Sequence, residues 1–207
     1  MKKRTAVVKR KTRETDISVK LNIDGIGVSR INTGIDFLDH MLELFAFWGF
    51  FDLEIIAKGD LKVDIHHTNE DIGIVLGQAF KKALGDKKGI IRIGFASVPM
   101  EDVLATVVVD INGRGFLSLD ESKFKKYKFG ATEEKTAAKY GIEGVKHFLE
   151  SFAQHVGMNL TIKIDNPSED AHTTLEPIFK ALGIALDAAT LIDLRRKGIP
   201  STKGVID

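Results

Sequence analysis

The sequence predicts an α+β fold made of two similar halves that pack as one unit. The first half covers residues 1–90, and the second covers residues 91–207 and includes a C-terminal tail. Three observations predict this fold: two segments in which apolar and polar residues alternate, four segments with helical spacing of apolar residues, and identities that recur between the halves. A chain of 207 residues is long enough to bury a sizeable core.

Two segments with a period of two residues predict β-hairpins. Residues 15–31, TDISVKLNIDGIGVSRI, alternate around Asp24-Gly25, and residues 104–119, LATVVVDINGRGFLSL, alternate around Asn112-Gly113. Asp-Gly and Asn-Gly favour tight two-residue turns. We therefore expect each segment to form a pair of neighbouring antiparallel strands.

Four longer segments have the apolar spacing of amphipathic helices, two after each alternating segment. A short strand separates the members of each helix pair, so the predicted order is strands, helix, strand, helix, given twice. The helical segments are IDFLDHMLELFAFWG, EDIGIVLGQAFKKALGD, GIEGVKHFLESFAQHVG and LEPIFKALGIALDAATLIDL, and the separating strands are FDLEIIAKG and MNLTIKI.

Three features of the first half recur in the same order in the second, which indicates an internal duplication. One is a seven-residue helical stretch that is identical at five positions, one is a histidine followed four residues later by a glutamate, and one is an acid at the same interval before the turn glycine. The matched features are HMLELFA at 40–46 with HFLESFA at 147–153, His66 and Glu70 with His172 and Glu176, and Glu14 with Asp102.

Composition and charge exclude several classes of protein. The 30 lysines and arginines balance 29 aspartates and glutamates, so the net charge of +1 argues against a nucleic-acid partner. The absence of cysteine excludes disulfides and thiolate metal sites. No run approaches the roughly 20 apolar residues of a membrane span, and the charged N-terminus lacks a signal-peptide core. We expect a cytoplasmic protein with no membrane partner.

Five of the six histidines fall at positions related by the repeat, which predicts a metal site. A neutral imidazole and a carboxylate four residues apart share one side of a helix and can chelate one ion. Nitrogen and oxygen donors without sulfur suit Mn, Zn, Fe, Co or Ni better than copper(I), Mg or Ca. The side chains of His66 and His67 diverge and would more naturally serve two ions. His155 is expected to be structural.

The motifs RKTRET, LNIDGIG, TGIDFLDHML, DIHHTNEDIGIVLGQA, VVDINGRG, HFLESFA and IPSTKG resemble those of the imidazoleglycerol-phosphate dehydratases of histidine biosynthesis. The resemblance implies two pseudo-symmetric halves, each a sheet covered by a helix pair, of the ribosomal protein S5 domain 2-like type. It implies metal-dependent dehydration of D-erythro-imidazole glycerol phosphate to imidazole acetol phosphate through a substrate imidazolate. It also implies a homo-oligomer, in which trimers form a closed shell of twenty-four subunits with two manganese sites between subunits.

The resemblance also implies roles for individual residues. One manganese set comprises His67, His147, His172 and Glu176, and the other comprises His40, His66, Glu70 and position 173. In the family position 173 is a histidine, whereas Thr173 stands here, so the second ion is expected to bind less tightly. The implied catalytic residues are Glu14 as acid/base with His67, Glu70 and Glu176, and the implied phosphate-binding residues are Arg92, Arg114, Lys180, Ser201 and Lys203.

Other departures from the family pattern are Trp48, Thr161, the order Glu101-Asp102 and the lysine-rich segment 120–141, which is expected to be a solvated connection. Together with Thr173 they leave open an alternative, a catalytically impaired, shell-forming metal-binding homologue. A third hypothesis, a small-molecule kinase, has little support because the chain carries no P-loop signature.

Overall fold

The computed structural model describes residues 3–120 and 141–206, so most of the lysine-rich segment lies outside the described residues. The first half contributes a four-stranded sheet and two helices. Its elements are β1 (Thr5–Lys11), β2 (Thr15–Asn22), β3 (Ser29–Asn32), α1 (Asp36–Trp48), β4 (Asp52–Gly59) and α2 (Ile65–Leu84). The strand order is β1-β2-β4-β3, antiparallel except for the parallel pair β3 and β4.

The second half repeats this arrangement element by element. Its elements are β5 (Ile93–Met100), β6 (Val103–Asp110), β7 (Phe116–Leu119), α3 (Ile142–Val156), β8 (Asn159–Asp165) and α4 (Ala171–Thr190). The strand order β5-β6-β8-β7 has the same directions. The predicted α+β class and the duplication are therefore confirmed, and the predicted boundary after residue 90 falls between α2 and β5.

The first strand of each half, β1 or β5, was missed by the sequence analysis because neither buries a large apolar side chain. In β1 only Ala6 is buried, and three of the other six residues are lysine or arginine. In β5 the pattern is reversed: Ile93 and Phe95 face outward, while Gly94 and Ala96 are buried. An alternation rule that places large apolar residues inside cannot detect such strands.

The predicted hairpins around Asp24-Gly25 and Asn112-Gly113 are wrong. β2 and β3 do not pair with each other, because β4 lies between them, and β8 likewise separates β6 from β7. The loop after β2 is held by the first residue of β4: the carboxylate of Asp52 accepts hydrogen bonds from the N–H groups of Ile26 and Val28 at 2.9 and 3.3 Å. The dipeptides mark a change of direction, whereas the pairing is decided by a later strand.

The helices pack across the two halves and share one core. α2 covers the first sheet and packs on α3, and α4 covers the second sheet and packs on α1. Phe80 of α2 contacts Phe152 of α3, with ring centroids 5.5 Å apart, and Phe45 of α1 contacts both rings at 5.9 and 6.0 Å. Among the described residues, no helix combines the length and apolar composition that crossing a bilayer requires.

Glycines allow the close approach of these helix pairs. Gly77 of α2 and Gly183 of α4 are equivalent, each seven residues after the repeated glutamate. A Cβ atom at Gly77 would lie 2.8 Å from the carbonyl oxygen of Phe152, and one at Gly183 would lie 2.5 Å from that of Phe45. Both distances are shorter than any ordinary contact, so a larger residue must push the helices apart.

We therefore expect Gly183→Ala to destabilise the protein, although alanine is the better helix former. The clash with the α1 backbone should lower the free energy of unfolding by about 1–3 kcal/mol, measured by urea denaturation. Gly198→Ala is the control, because no atom lies within 4 Å of the added Cβ. Equal or greater stability of Gly183→Ala would contradict the close packing.

Candidate active site

The repeated histidine and glutamate open two equivalent helices. His66 and His172 are each the second residue of their helix, and the glutamate follows one turn later. Each helix is capped by an aspartate: the carboxylate of Asp64 accepts the N–H of His66 at 2.9 Å, and that of Asp170 accepts the N–H of Thr173 at 2.8 Å. Such caps satisfy otherwise free N–H groups and fix the first turn, so the histidines leave the helix ends in defined directions.

One candidate metal-binding group, the α1–α4 cluster, consists of His40, His172 and Glu176. The Nε2 atom of His172 lies 2.6 Å and that of His40 lies 3.5 Å from Oε2 of Glu176. The two imidazole centroids are 5.2 Å apart. In the described part of the chain this is the one group of three such side chains whose ligand atoms all lie within 4.8 Å of one another, so these three fit a nitrogen- and oxygen-bound ion.

Glu176 is the most buried member of this cluster, and its other oxygen pairs with a lysine. Its side chain is 11% exposed, and Oε1 forms an ion pair with the ammonium of Lys180 one turn later on α4. Burial alone would raise the pKa of Glu176, but the hydrogen bonds from Lys180 and His172 outweigh it and hold the pKa below the ordinary value. Glu176 is therefore an ionised acceptor with two occupied oxygens.

A second group, the α2–α3 cluster, consists of His66, Glu70 and His147. Oε2 of Glu70 lies 3.5 Å from Nε2 of His66. The Nδ1 atoms of His66 and His147 are 2.9 Å apart, and the two rings meet edge to face with centroids 4.5 Å apart. Two ring nitrogens at this distance need a proton between them, so one imidazole donates to the other.

The two clusters are related by the internal duplication. His40 of α1 corresponds to His147 of α3, and the pair on α4 corresponds to the pair on α2. Each cluster thus takes one histidine from one half of the chain and a histidine–glutamate pair from the other half. The cross-half packing of the helices produces this exchange, and neither half contains a complete cluster.

The position after the repeated histidine differs between the clusters. His67 donates from Nδ1 to Asp60 Oδ2 at 3.1 Å, and Glu14 Oε2 lies 4.0 Å away. The hydrogen bond to Asp60 raises the pKa of His67 above its ordinary value, and the charges of Glu14 and nearby aspartates add to the effect. An ion bound through Nε2 of His67 would displace any proton on that nitrogen, while Nδ1 could keep its proton and its hydrogen bond to Asp60.

Thr173, the equivalent of His67, has a different neighbourhood. It is buried, and its hydroxyl donates to Oδ2 of the capping Asp170 at 2.8 Å. The N–H and the hydroxyl of Thr173 keep the pKa of Asp170 below its ordinary value despite partial burial. The hydroxyl is thus committed to the helix cap, which agrees with the expectation that Thr173 is a poor metal ligand.

Each predicted manganese set takes ligands from both clusters. In the described part of the chain no hydrogen bond, ion pair or ring contact joins one cluster to the other. The division into two four-ligand sets therefore stays a prediction. The first set combines His147 and the adjoining His67 with His172 and Glu176, and the second combines His66 and Glu70 with His40 and the adjoining Thr173.

Four of the five predicted phosphate-binding residues lie on or beside the segments that follow β6 and α4. Arg92 binds Asp110 at the end of β6 through two nitrogens, at 2.6 and 3.0 Å, and donates to the Pro200 carbonyl at 2.8 Å, so it anchors the tail. Ser201 Oγ accepts the N–H of Lys203 at 3.2 Å. Arg114 is exposed in the loop after β6. Lys180 instead lies beside Glu176.

The sequence analysis missed residues that hold the candidate acid/base in place. Asp71 accepts hydrogen bonds from Arg10 Nε at 2.8 Å and from Thr15 Oγ1 at 2.5 Å, which ties the β1–β2 turn carrying Glu14 to the start of α2. Asp71 belongs to the histidine-rich motif and Arg10 to RKTRET, so both were visible there as motif residues. No pattern pointed to Asp60.

The family departures occupy different parts of the structure. Trp48 is the last residue of α1, and its ring lies 6.0 Å from the ammonium of Lys180. This departure from the family pattern therefore borders the α1–α4 cluster. Thr161 lies in β8 between the buried Leu160 and Ile162 and therefore points to the outer face of the second sheet. Asp102 lies in the exposed β5–β6 turn.

Comparisons with known proteins identify the family to which the chain is similar. A family model described as imidazoleglycerol-phosphate dehydratase matches residues 33–186. Curated proteins with that name from Thermoanaerobacter pseudethanolicus and Methanocella arvoryzae are 53% and 51% identical over 203 residues, 98% of this chain and all of theirs. The crystal structure of the dehydratase from Pyrococcus furiosus, in complex with (S)-C348, superposes with a TM-score of 0.77 at 35% identity, covering 96% of this chain and 99% of that one.

The two curated relatives match the chain over nearly its whole length, and the solved structure shares its fold. These matches show that the chain belongs to the imidazoleglycerol-phosphate dehydratase family and is a hydro-lyase of histidine biosynthesis.

Proposed function

We propose that this chain dehydrates imidazole glycerol phosphate to imidazole acetol phosphate with the help of divalent manganese bound by the α1–α4 and α2–α3 clusters. The observation that carries the metal dependence is the pair of clusters itself. Two groups of histidine and glutamate side chains, related by the duplication, converge without any sulfur ligand, and this donor set suits manganese and its neighbours.

The reaction removes a hydroxyl from the carbon attached to the imidazole ring and a proton from the next carbon, and the resulting enol becomes a ketone. That proton is not acidic, because no carbonyl stands beside it. A bound divalent cation supplies Lewis acidity that favours ionisation of the substrate ring. His40, His172 and Glu176 in one cluster, and His66, Glu70 and His147 in the other, would hold the ions.

Glu14 is the proposed proton carrier. Its side chain is 56% exposed on the β1–β2 turn, 4.0 Å from His67, so it borders the site and remains open to a substrate. A carboxylate there can accept the proton from the carbon beside the reacting centre and return it to the enol carbon. Asp71, through Arg10 and Thr15, holds the turn in the position that this role requires.

Arg114, Ser201 and Lys203 are proposed to bind the substrate phosphate. Arg114 and Lys203 are exposed cations, and Ser201 and the glycine after Lys203 provide small donors that let an anion approach the backbone. Arg92 supports them by holding Pro200 through a backbone hydrogen bond. Its guanidinium is already paired with Asp110, so its contribution is chiefly to fix the tail.

The complete metal sites are proposed to form between subunits. Each predicted four-ligand set needs two members of one cluster, one member of the other cluster and a residue adjoining that other cluster, whereas the structure shows no contact between the clusters within the described chain. A neighbouring copy that presents its α1–α4 cluster to the α2–α3 cluster would complete both sets. This supports the homo-oligomeric shell that the family resemblance implies.

The function is tested with the purified chain, imidazole glycerol phosphate and Mn²⁺, with product measured by chromatography. Turnover that disappears with EDTA and returns with Mn²⁺ is the expected result. The second candidate function, a metal-binding homologue without catalysis, is favoured by one observation: the Thr173 hydroxyl donates to Asp170, so this position offers a poor ligand where the family has a histidine. Bound metal without turnover would support that candidate.

Thr173→His tests the ligand assignment directly. We expect it to raise the manganese content by about one ion per subunit at limiting free Mn²⁺, because an imidazole replaces a hydroxyl at the vacant ligand position. Metal analysis after gel filtration measures this. Thr173→Ser keeps the hydroxyl and should leave the content unchanged. An unchanged content in Thr173→His would show that position 173 is not a ligand.

A further inference from the structure

The Lys180–Glu176 ion pair occupies the carboxylate that the α1–α4 cluster would offer to a metal. Oε1 of Glu176 pairs with the ammonium, while Oε2 faces His172 and His40. The side chains of Lys180 and Glu176 are 21% and 11% exposed, so water screens this pair less than it would screen a surface pair. The charge that an ion would neutralise is thus already neutralised by the protein.

The α2–α3 cluster lacks this arrangement. Ile74 stands four residues after Glu70, at the position equivalent to Lys180, and its apolar side chain offers no charge. The carboxylate of Glu70 is also more open, with 48% of its side chain exposed. The two clusters therefore have equivalent metal-binding side chains, as the duplication requires. They differ because a lysine neutralises the charge of Glu176, whereas no lysine stands at the equivalent position beside Glu70.

A divalent cation at the α1–α4 cluster would meet the ammonium of Lys180 across one carboxylate. Two like charges a few ångströms apart repel each other strongly in a partly buried site. Lysine has a flexible stem and can withdraw, and the face of Trp48, 6.0 Å from the ammonium, offers a second favourable position. An ion bound at Oε2 of Glu176 would therefore weaken the contact of Lys180 with Oε1.

We propose that Lys180 competes with the divalent cation for Glu176 and so lowers the affinity of each metal site that Glu176 completes. The inference rests on the proposed metal dependence and adds to it a residue that acts through Glu176 on metal affinity. Sites completed by Glu176 then exchange their ion more readily than they would without the ammonium of Lys180.

The test is a Mn²⁺ titration of the full chain after EDTA treatment and dialysis, with free Mn²⁺ measured by electron paramagnetic resonance. We expect Lys180→Met, which keeps the stem and removes the charge, to tighten Mn²⁺ binding at the sites that Glu176 completes by about tenfold. Lys180→Arg keeps a cation and should bind Mn²⁺ as the parent does. Lys81→Met removes the same charge from the far end of α2 and serves as the control.

Ile74→Lys is the reciprocal variant and should weaken Mn²⁺ binding at the sites that Glu70 completes, because it installs an ammonium beside Glu70. It also provides the test if thermal unfolding shows that Lys180→Met does not fold. Unchanged or weaker binding in folded Lys180→Met, or unchanged binding in Ile74→Lys, would overturn the competition alone. A parent chain that binds no Mn²⁺ would overturn the proposed metal dependence and this inference together.

Discussion

Glu14→Gln is expected to lower kcat by roughly 10²- to 10⁴-fold, the range in which a positioned acid/base contributes. The amide keeps the size and polarity of the side chain but cannot carry the proton away from the substrate carbon. The turn that holds Glu14 is fixed by Asp71 and Thr15, so the fold should be retained. Steady-state kinetics at saturating Mn²⁺ measure the loss.

Asp16→Asn is the matched control for Glu14→Gln. Asp16 lies on the same hairpin with nearly the same side-chain exposure, 57% against 56%, and pairs with Lys11 at 3.1 Å. Its amide variant should keep nearly full activity. A similar loss of kcat in both variants would mean that the charge of the hairpin, and not a proton transfer by Glu14, supports the reaction.

His147→Ala should lower kcat/KM by at least about 100-fold and release manganese from the chain, because a direct ligand matters more than the outer-shell partners that cost 10- to 100-fold. The imidazole of His147 also holds His66 through the 2.9 Å contact between their Nδ1 atoms. Removing it therefore affects two members of the α2–α3 cluster. Metal content and activity are measured on the same sample.

His155→Gln separates a metal ligand from a histidine of the same helix. His155 also lies on α3, but its Nδ1 donates to the carbonyl oxygen of Ser151 at 2.8 Å, a local contact within the helix. We expect this variant to keep its manganese and its activity. Full activity in His147→Ala would remove His147 from the catalytic site, whatever the result for His155.

The repeat in the sequence identified candidate metal-binding residues but not which of them lie together within one chain. The repeated pairs His66–Glu70 and His172–Glu176 could be found because they stand at the same place in two similar helices. The histidine that lies beside each pair could not be found in this way. Sequence identities between the halves show which residues are equivalent, but they do not show which helices pack together. The glycine contacts between helices of opposite halves decide that question.

The same limit explains the wrong hairpins. Asp24-Gly25 predicts a turn from local chemistry, and the chain does turn there. The strand that pairs with β2 on this side is β4, which begins at Asp52 after the whole of α1. No short-range sequence pattern predicts this pairing. Asp60, the partner of His67, is hidden for a similar reason, since it is brought to the site by the end of β4 and belongs to no motif.

The exchange of helices between the halves bears on how the chain arose. A half-length ancestor with one sheet and two helices would have possessed one lone histidine and one histidine–glutamate pair, on helices that pack against different partners. Such a peptide could have gathered three donors only by associating with a copy of itself. Gene fusion would have made that association permanent and allowed the two clusters to diverge. Thr173 and Lys180 beside the α1–α4 cluster now differ from the equivalent His67 and Ile74 beside the α2–α3 cluster.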